Sequence, residues 1–385
     1  MINIQKKCNG CHACYSVCPK KCIKMVADVE GFLYPQVDNK ECINCGKCVN
    51  VCPILNSEKP DLTQPNAYAI VNKRDDVLKR SSSGGVFYAL ATATIEKNGV
   101  VFGATFNKDG QVEHSFIDSE HDVWKMMGSK YAQSKIGSSF ILAKDFLDNG
   151  REVLFVGTPC QIGGLRAFLG KDYERLLCVD IVCHGVPSPK LWDKYVKYQE
   201  DKHGSKSVQI FFRDKSTGWR AYSMKFEFEN GKVYQKPHEE DAYMRLFLSN
   251  VCLRPSCHDC YFKGENRLSD ITLADCWGVE RILGEKDDHK GVSLTLTHTK
   301  KGENALQSLF NSCQIRKVDL DKAIKENPSA IRSTIPHKDR EEFFANMDKL
   351  SILKSAKKYA PYKIGLKERL ARLLKKAGIW KLIKK

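Results

Sequence analysis

A cysteine pattern written twice restricts this 385-residue chain more than any other feature of its sequence. The first copy reads Cys8-x2-Cys11-x2-Cys14-x3-Cys18-Pro19, and the second Cys42-x2-Cys45-x2-Cys48-x3-Cys52-Pro53, with every matched residue displaced by 34 positions. Three thiolates at two-residue gaps wrap one face of an iron–sulfur cube. The fourth, ahead of proline, points away and completes the cube of the other copy. This assigns Cys8, Cys11, Cys14 and Cys52 to one 4Fe-4S cluster, and Cys42, Cys45, Cys48 and Cys18 to a second, close enough for electron hopping. Gly10 and Gly46 suit the tight backbone such loops need. Zinc knuckles and a disulfide knot are the competing readings. Zinc sites usually need only two Cys-x-x-Cys pairs and have no use for Cys-Pro endings.

A hydrophobic content of 42% and a charged content of 28% are those of an ordinary soluble protein, and no apolar run approaches a membrane span. Residues Met1 to Lys7 carry no apolar run ahead of the first cluster loop, so secretion is not expected. Seventeen cysteines with this spacing fit a reducing cytoplasm better than a disulfide scaffold. The net charge of +16 suggests nucleic acid until it is mapped. Residues 354–385 hold twelve Lys or Arg and one acid, Glu368, so most of the excess belongs to the tail. The body is not basic enough to argue for DNA or RNA.

Residues 1–58 form the cluster module, with a short strand and turn around Gly31–Pro35. Glu58–Pro65 is polar, carries two prolines and reads as a linker. Beyond it, strands are expected at Ala67–Val71, Val100–Phe106, Arg151–Val156 and Leu176–Val182. They alternate with helices from Gly85 to about Asn98, at Ile136–Leu147, Gln161–Leu169 and Leu191–Lys202. Such alternation indicates an α/β sheet covered by helices. Val208–Arg213, Ser223–Phe228, Ile271–Ala274 and Val292–Thr297 then read as strands, with a turn at Glu229-Asn230-Gly231 and a helix near Asn304–Phe310. The expected fold class is α+β or α/β, a bacterial-ferredoxin-like module followed by an α/β core with an added antiparallel portion.

A second group of cysteines has no duplicated spacing. Cys160 lies between a strand and a helix and Cys183 follows a strand, and ligands collect at such strand ends. Cys257-x2-Cys260 supplies a clamp pair. Cys178, inside a strand, suits the core, as free cysteine is often buried. Ser81-Ser82-Ser83-Gly84-Gly85 ahead of a helix offers free backbone N–H groups for a phosphate, or simply an N-capped turn. The dipole contributes only about 0.3–1 kcal/mol, so the Ser82 and Ser83 hydroxyls and a cation such as Lys130 would have to add to it. No Gly-x-Gly-x-x-Gly follows a strand, which speaks against a standard NAD site.

The strings Gly128-Ser129-Lys130-Tyr131, Leu154–Gln161, Cys183-His184-Gly185-Val186-Pro187-Ser188 and Arg254-Pro255-Ser256-Cys257 resemble the β subunit of coenzyme F420-reducing hydrogenase and its relatives. Those relatives include the F420 dehydrogenase subunits and 7-hydroxymethyl chlorophyll a reductase. The resemblance covers about residues 1–345, since longer members carry a two-cluster module. It implies FAD and a third 4Fe-4S cluster held by Cys160, Cys183, Cys257 and Cys260, where a zinc site or unligated thiols are the alternatives. It implies flavin contacts from Ser82, Ser83, Gly84, Gly85, Ser129, Lys130, Tyr131, Thr158, Pro159 and Gln161, and places Asp214, Lys215, Trp219 and Arg220 on the open flavin face. Cys276 stands where the family usually has an aromatic residue, either as a core residue or as a stand-in ligand. His184 is the nearest candidate proton donor, against a role in positioning its neighbour Cys183. On this reading residues 66–148 and 149–345 are the two parts of one flavin domain, and 346–385 a basic tail.

The function these features imply is an iron–sulfur flavoprotein oxidoreductase. It would pass electrons between a ferredoxin-like or other redox protein and a small organic substrate, in either direction. Similar bacterial chains often accompany polysaccharide-biosynthesis enzymes. The alternative is an electron-transfer subunit with no substrate of its own, serving a catalytic partner. In the tail, Leu366, Leu370, Leu373, Ala377 and Trp380 recur at helical spacing among lysines and arginines. Such a basic amphipathic helix suits an anionic membrane surface on the cytoplasmic side, or docking on the body or a partner.

Overall fold

Thirteen strands in three sheets are present among the described residues of the computed structural model, which are 2, 4–56 and 64–362. β1 (Ile23–Ala27) and β2 (Leu33–Val37) form an antiparallel hairpin between the two cysteine copies. β3 (Asn66–Asn72), β4 (Val100–Phe106), β5 (Val112–Ile117), β6 (Val153–Gly157) and β7 (Leu176–Ile181) belong to the large sheet. β8 (Ser207–Asp214), β9 (Ser223–Phe228) and β10 (Val233–Pro237) make a separate antiparallel sheet, turning at Gly231. β11 (Ile271–Asp275), β12 (Ser293–Thr297) and β13 (Cys313–Val318) return to the large one, whose order is β13-β3-β12-β11-β7-β6-β4-β5.

Strands β4, β6, β7 and β11 pair in parallel. β3 runs with them, because β12 is antiparallel to both β3 and β11. Five strands therefore end on one edge. Their apolar runs follow from burial on both faces, as parallel strands demand. Val100 and Phe102 turn toward helices Ser139–Asp148 and Pro159–Leu169, whereas Val101 turns to helix Val86–Ile95, the two-residue period of a strand. The α/β core with an antiparallel addition is thus present.

The cluster module is not a separate bead. Ala13, Ile23 and Val51 share one apolar core with Ile162, Leu165 and Leu169 of helix Pro159–Leu169. The small sheet packs with helices Pro189–His203, Ala242–Leu248 and Ile352–Tyr359. The last of these falls in the stretch read as a tail. It is tied down by Arg245, which donates to the carbonyls of Ala356 and Ala360 at 2.8 Å each. The Leu366–Trp380 repeat and most of the linker lie outside the described residues. No helix among the described residues is long and apolar enough to cross a membrane.

Four strands escaped the sequence pattern: β1, β5, β10 and β13, each at the edge of its sheet. β5 and β13 are sheet edges with one exposed face, so their sequences are half polar. The helix expected near Asn304–Phe310 runs instead over Lys300–Gln307, because the Thr299 hydroxyl accepts from the Gly302 N–H at 3.1 Å and starts it early.

Candidate redox site

Each cysteine copy needs two left-handed backbone positions. In the first they are Gly10 (φ 68°) and His12 (φ 66°), and in the second Asn44 (φ 52°) and Gly46 (φ 73°). His12 and Gly46 then start the short helices Ala13–Val17 and Lys47–Asn50. The Gly10 N–H donates to Cys8 Sγ at 3.4 Å. Burial pushes the Cys11 thiol up to about 12, and Cys8 and Cys52 beside it push further. Cys14 is raised by burial first and then by Cys11, Cys8 and Cys52. These four thiols are neighbours, with Cys52 crossing from the second copy. Cys18, Cys42, Cys45 and Cys48 line one cavity, and Cys45 is exposed. The crossed grouping read from the repeat is what the fold brings together.

Helix Pro159–Leu169 links the module to the third set. Thr158 and Gln161 form a capping box at its start, with the Thr158 N–H donating to Gln161 Oε1 at 2.9 Å. Cys160 therefore sits in the first turn at the edge where the parallel strands end. Burial raises its thiol well above the ordinary value, and Cys260, Cys183 and Cys257 add to the rise. Loop 183–188 and loop 253–257 are tied by a bridge between Pro187 and Leu253, and the Val186 N–H donates to Cys257 Sγ at 3.4 Å. The four expected thiols converge. Cys178, Cys252 and Cys276 are instead fully buried in apolar cores.

One turn beyond Cys160 the same helix meets the first set. A Cβ on Gly164 would lie 2.9 Å from Cys11 Cβ and 3.0 Å from its Sγ. The rise from residue 160 to 164 is about 6 Å. Gly164→Val should force the cysteine loop off the helix, lowering the unfolding free energy by about 1–3 kcal/mol, as overpacking does. Denaturant titration checks this, and an unchanged midpoint would deny the contact.

Arg254 holds the same junction. It is fully buried, and its guanidinium donates to the carbonyls of Cys8 (2.7 Å) and Leu33 (2.9 Å) and to Gln133 Oε1 (3.1 Å). Its Cζ lies 4.4 Å from the Tyr34 ring centroid. These partners are neutral, and no carboxylate among the described residues pairs with it. A buried cation without a counter-charge is costly. Its position between two thiol sets fits anionic clusters on either side. The donors fit as well, since buried thiols become thiolates only when a metal takes their protons.

A cavity of about 490 Å³ opens where the parallel strands end. Ser82, Ser83, Gly85, Ser129, Lys130, Tyr131, Thr158 and Gln161 line it together with Cys160, Cys183 and His184. Gly84 and Pro159 stand behind this wall. A Cβ on Gly84 would strike the Ile70 carbonyl oxygen at 2.2 Å, so its glycine serves close packing. Pro159 begins the helix. The Ser83 hydroxyl donates to the Val292 carbonyl at 2.7 Å, whereas Ser82 Oγ accepts from the Ser129 N–H at 2.7 Å and keeps its proton for a ligand. Lys130 turns its amine onto the carbonyls of Met126 and Met127 at 3.3 and 3.2 Å, and burial lowers its pKa to about 7. His184 Nε2 lies 2.6 Å from Asn250 Oδ1, and burial lowers its pKa, so a neutral ring with that proton already committed stands at the wall.

The expected open face is corrected at all four residues. None of Asp214, Lys215, Trp219 and Arg220 lines the cavity, whereas Arg213, Tyr222 and Trp277 do. Alternation along β8 turns Arg213 inward and Asp214 away. Arg213 pairs with Asp275 at 2.5 Å. Trp219 lies behind, stacked on Trp277 at 4.9 Å, and Arg220 pairs outside with Glu280 at 2.8 Å. His114 and Ser134 also line the cavity and were missed. His114 Nδ1 meets Ser134 Oγ at 2.7 Å, and Gln161 Nε2 donates to that same oxygen at 3.0 Å. Nothing in a lone histidine on an edge strand signals such a chain.

Residues 150–323 match the family model for the C terminus of the coenzyme F420 hydrogenase/dehydrogenase beta subunit, and residues 7–55 match the 4Fe-4S dicluster domain. No curated protein sequence matches the chain. Among solved structures, a chain from the xenon-derivatized F420-reducing NiFe hydrogenase complex of Methanosarcina barkeri is 20% identical, with a TM-score of 0.45. The match covers 71% of this chain and 93% of that one.

Proposed function

We propose, for a chain whose residues 7–55 are a 4Fe-4S dicluster domain and whose residues 150–323 belong to the C-terminal family of the coenzyme F420 hydrogenase/dehydrogenase beta subunit, an iron–sulfur flavoprotein oxidoreductase. Bound clusters would supply one-electron transfer, and bound FAD the exchange between one- and two-electron chemistry. Cys42, Cys45, Cys48 and Cys18 hold the outermost group, beside exposed Cys45 and Ile43, where a ferredoxin-like protein docks. Cys8, Cys11, Cys14 and Cys52 hold the next, and Cys160, Cys183, Cys257 and Cys260 the innermost. Ser82, Gly85 and Ser129, at the start of helix Val86–Ile95, would hold the flavin's phosphates, and Thr158 with the buried Tyr222 and Phe247 would exclude water from its ring. A small organic substrate, saccharide-linked in the setting the resemblance implies, takes the rest of the cavity.

One observation carries this reading. Cys160 and Cys183 are part of the cavity wall, and the helix that carries Cys160 in its first turn meets Cys11 one turn later. The chain purified without oxygen should hold about twelve iron atoms and one FAD. About eight iron and no flavin would overturn the flavoprotein reading. An electron-transfer subunit without its own substrate is the second reading, favoured by the exposed outer group. Turnover by the isolated chain with an artificial one-electron donor supports the enzyme, and turnover only with an added partner supports the subunit.

A further inference from the structure

The outer thiol group has one member too many for a four-cornered cluster. Cys22, outside the duplicated pattern, lines the same cavity as Cys18, Cys42, Cys45 and Cys48. Its Sγ lies 3.4 Å from Cys18 Sγ. A tight turn brings it there. After Cys18-Pro19-Lys20 the chain reverses at Lys21, in the left-handed region at φ 52°, with the Lys21 N–H donating to the Cys18 carbonyl at 3.1 Å. The Cys22 carbonyl is then fixed by the Asp38 N–H at 2.8 Å, so only its side chain is left to turn.

The second copy is an internal control. Displaced by 34, the position of Cys22 is Asn56, where the chain continues as helix Pro53–Asn56. Asn56 Nδ2 donates to the carbonyls of Val49 (2.6 Å) and Cys52 (3.4 Å). The repeat therefore closes with a capping amide where only the fold is served, and the thiol is an addition peculiar to one copy. Ordinary core burial accounts for Cys178, Cys252 and Cys276, which line neither thiol cavity. Cys22 is buried in the same core as Cys178, but it alone of these four also stands on the wall shared by four ligands.

We propose that Cys22 is a reserve ligand of the outer cluster, taking the corner of Cys18 when that thiolate is lost or modified. The inference rests on the cluster reading of residues 7–55. In the exchange Cys22 releases its proton to solvent and its sulfur bonds the iron left by Cys18, with no change in oxidation state.

The test measures iron and acid-labile sulfide on the full chain purified without oxygen, with far-ultraviolet circular dichroism to monitor folding. Cys18→Ala should keep the wild-type iron content, whereas Cys18→Ala with Cys22→Ala should lose about four iron atoms. Cys52→Ala, with no thiol at its Asn56 position, should lose about four by itself. A folded Cys18→Ala chain as poor in iron as the double variant overturns the exchange. Where Cys18→Ala does not fold, Cys22→Ala alone decides: it should release iron to bipyridyl severalfold faster than wild type, and equal rates overturn the proposal. A wild-type chain with no iron in this module removes the cluster reading itself, which is a different result.

Discussion

Arg254→Met lowers the unfolding free energy of the iron-loaded protein by about 3–5 kcal/mol. Methionine fills much of the volume, so the loss falls on hydrogen bonds and charge. The Leu33 carbonyl and Gln133 Oε1 lose their donor in a buried site, and the Cys8 carbonyl keeps only the Ser256 hydroxyl at 3.2 Å. Each orphaned buried group costs about 1–3 kcal/mol. Removing the cation also leaves anionic groups facing one another across the junction. Against a total stability of about 5–15 kcal/mol this is a large fraction. Denaturant unfolding without oxygen measures it, and a change below about 1 kcal/mol would mean that Arg254 is not the tie described.

Acidification produces the second large effect. Burial lowers the pKa of His114 to about 4, a fall that Lys130 deepens and the hydrogen bond to the Val156 carbonyl opposes. Burial, then Arg267, lowers His298 to about 3. Both rings are neutral in the folded chain, whereas in the unfolded chain they titrate near 6.5. Between those values the unfolded state binds more protons, so stability rises with pH there. Their contribution is complete above about pH 6.5 and disappears as pH falls toward 4, at up to about 1.4 kcal/mol per pH unit for each ring. Unfolding free energies at pH 7 and pH 4.5 should therefore differ less in His114→Gln than in wild type. An unchanged difference would place His114 in water.

Spacing and periodicity carried much of this in advance, for identifiable reasons. The crossed thiol sets were legible because ligation by short loops leaves a fixed interval in sequence. The conformations beneath it were half hidden. Each left-handed position appears as glycine in one copy and as Asn44 or His12 in the other, so neither residue betrays the backbone alone. The third thiol set spans a hundred residues and is gathered by strand order, which no local pattern states. Adjacent strand residues face opposite ways, and that parity placed Arg213, not Asp214, at the cavity. Nothing in the helical stretch Gln161–Leu169 marks Gly164 as the position that Cys11 approaches. Ser83 and Lys130 illustrate a further limit: the right residue types stand at the site, yet their protons are partly spent on neighbouring carbonyls.

Cys160 and Gly164 belong to successive turns of one rod, so the gap between the inner thiols and the module is set by helical pitch rather than by how tightly two bodies dock. A displacement of that helix would carry both contacts along together. A conductor built in this way keeps its gauge while the walls of the cavity adjust to whatever enters.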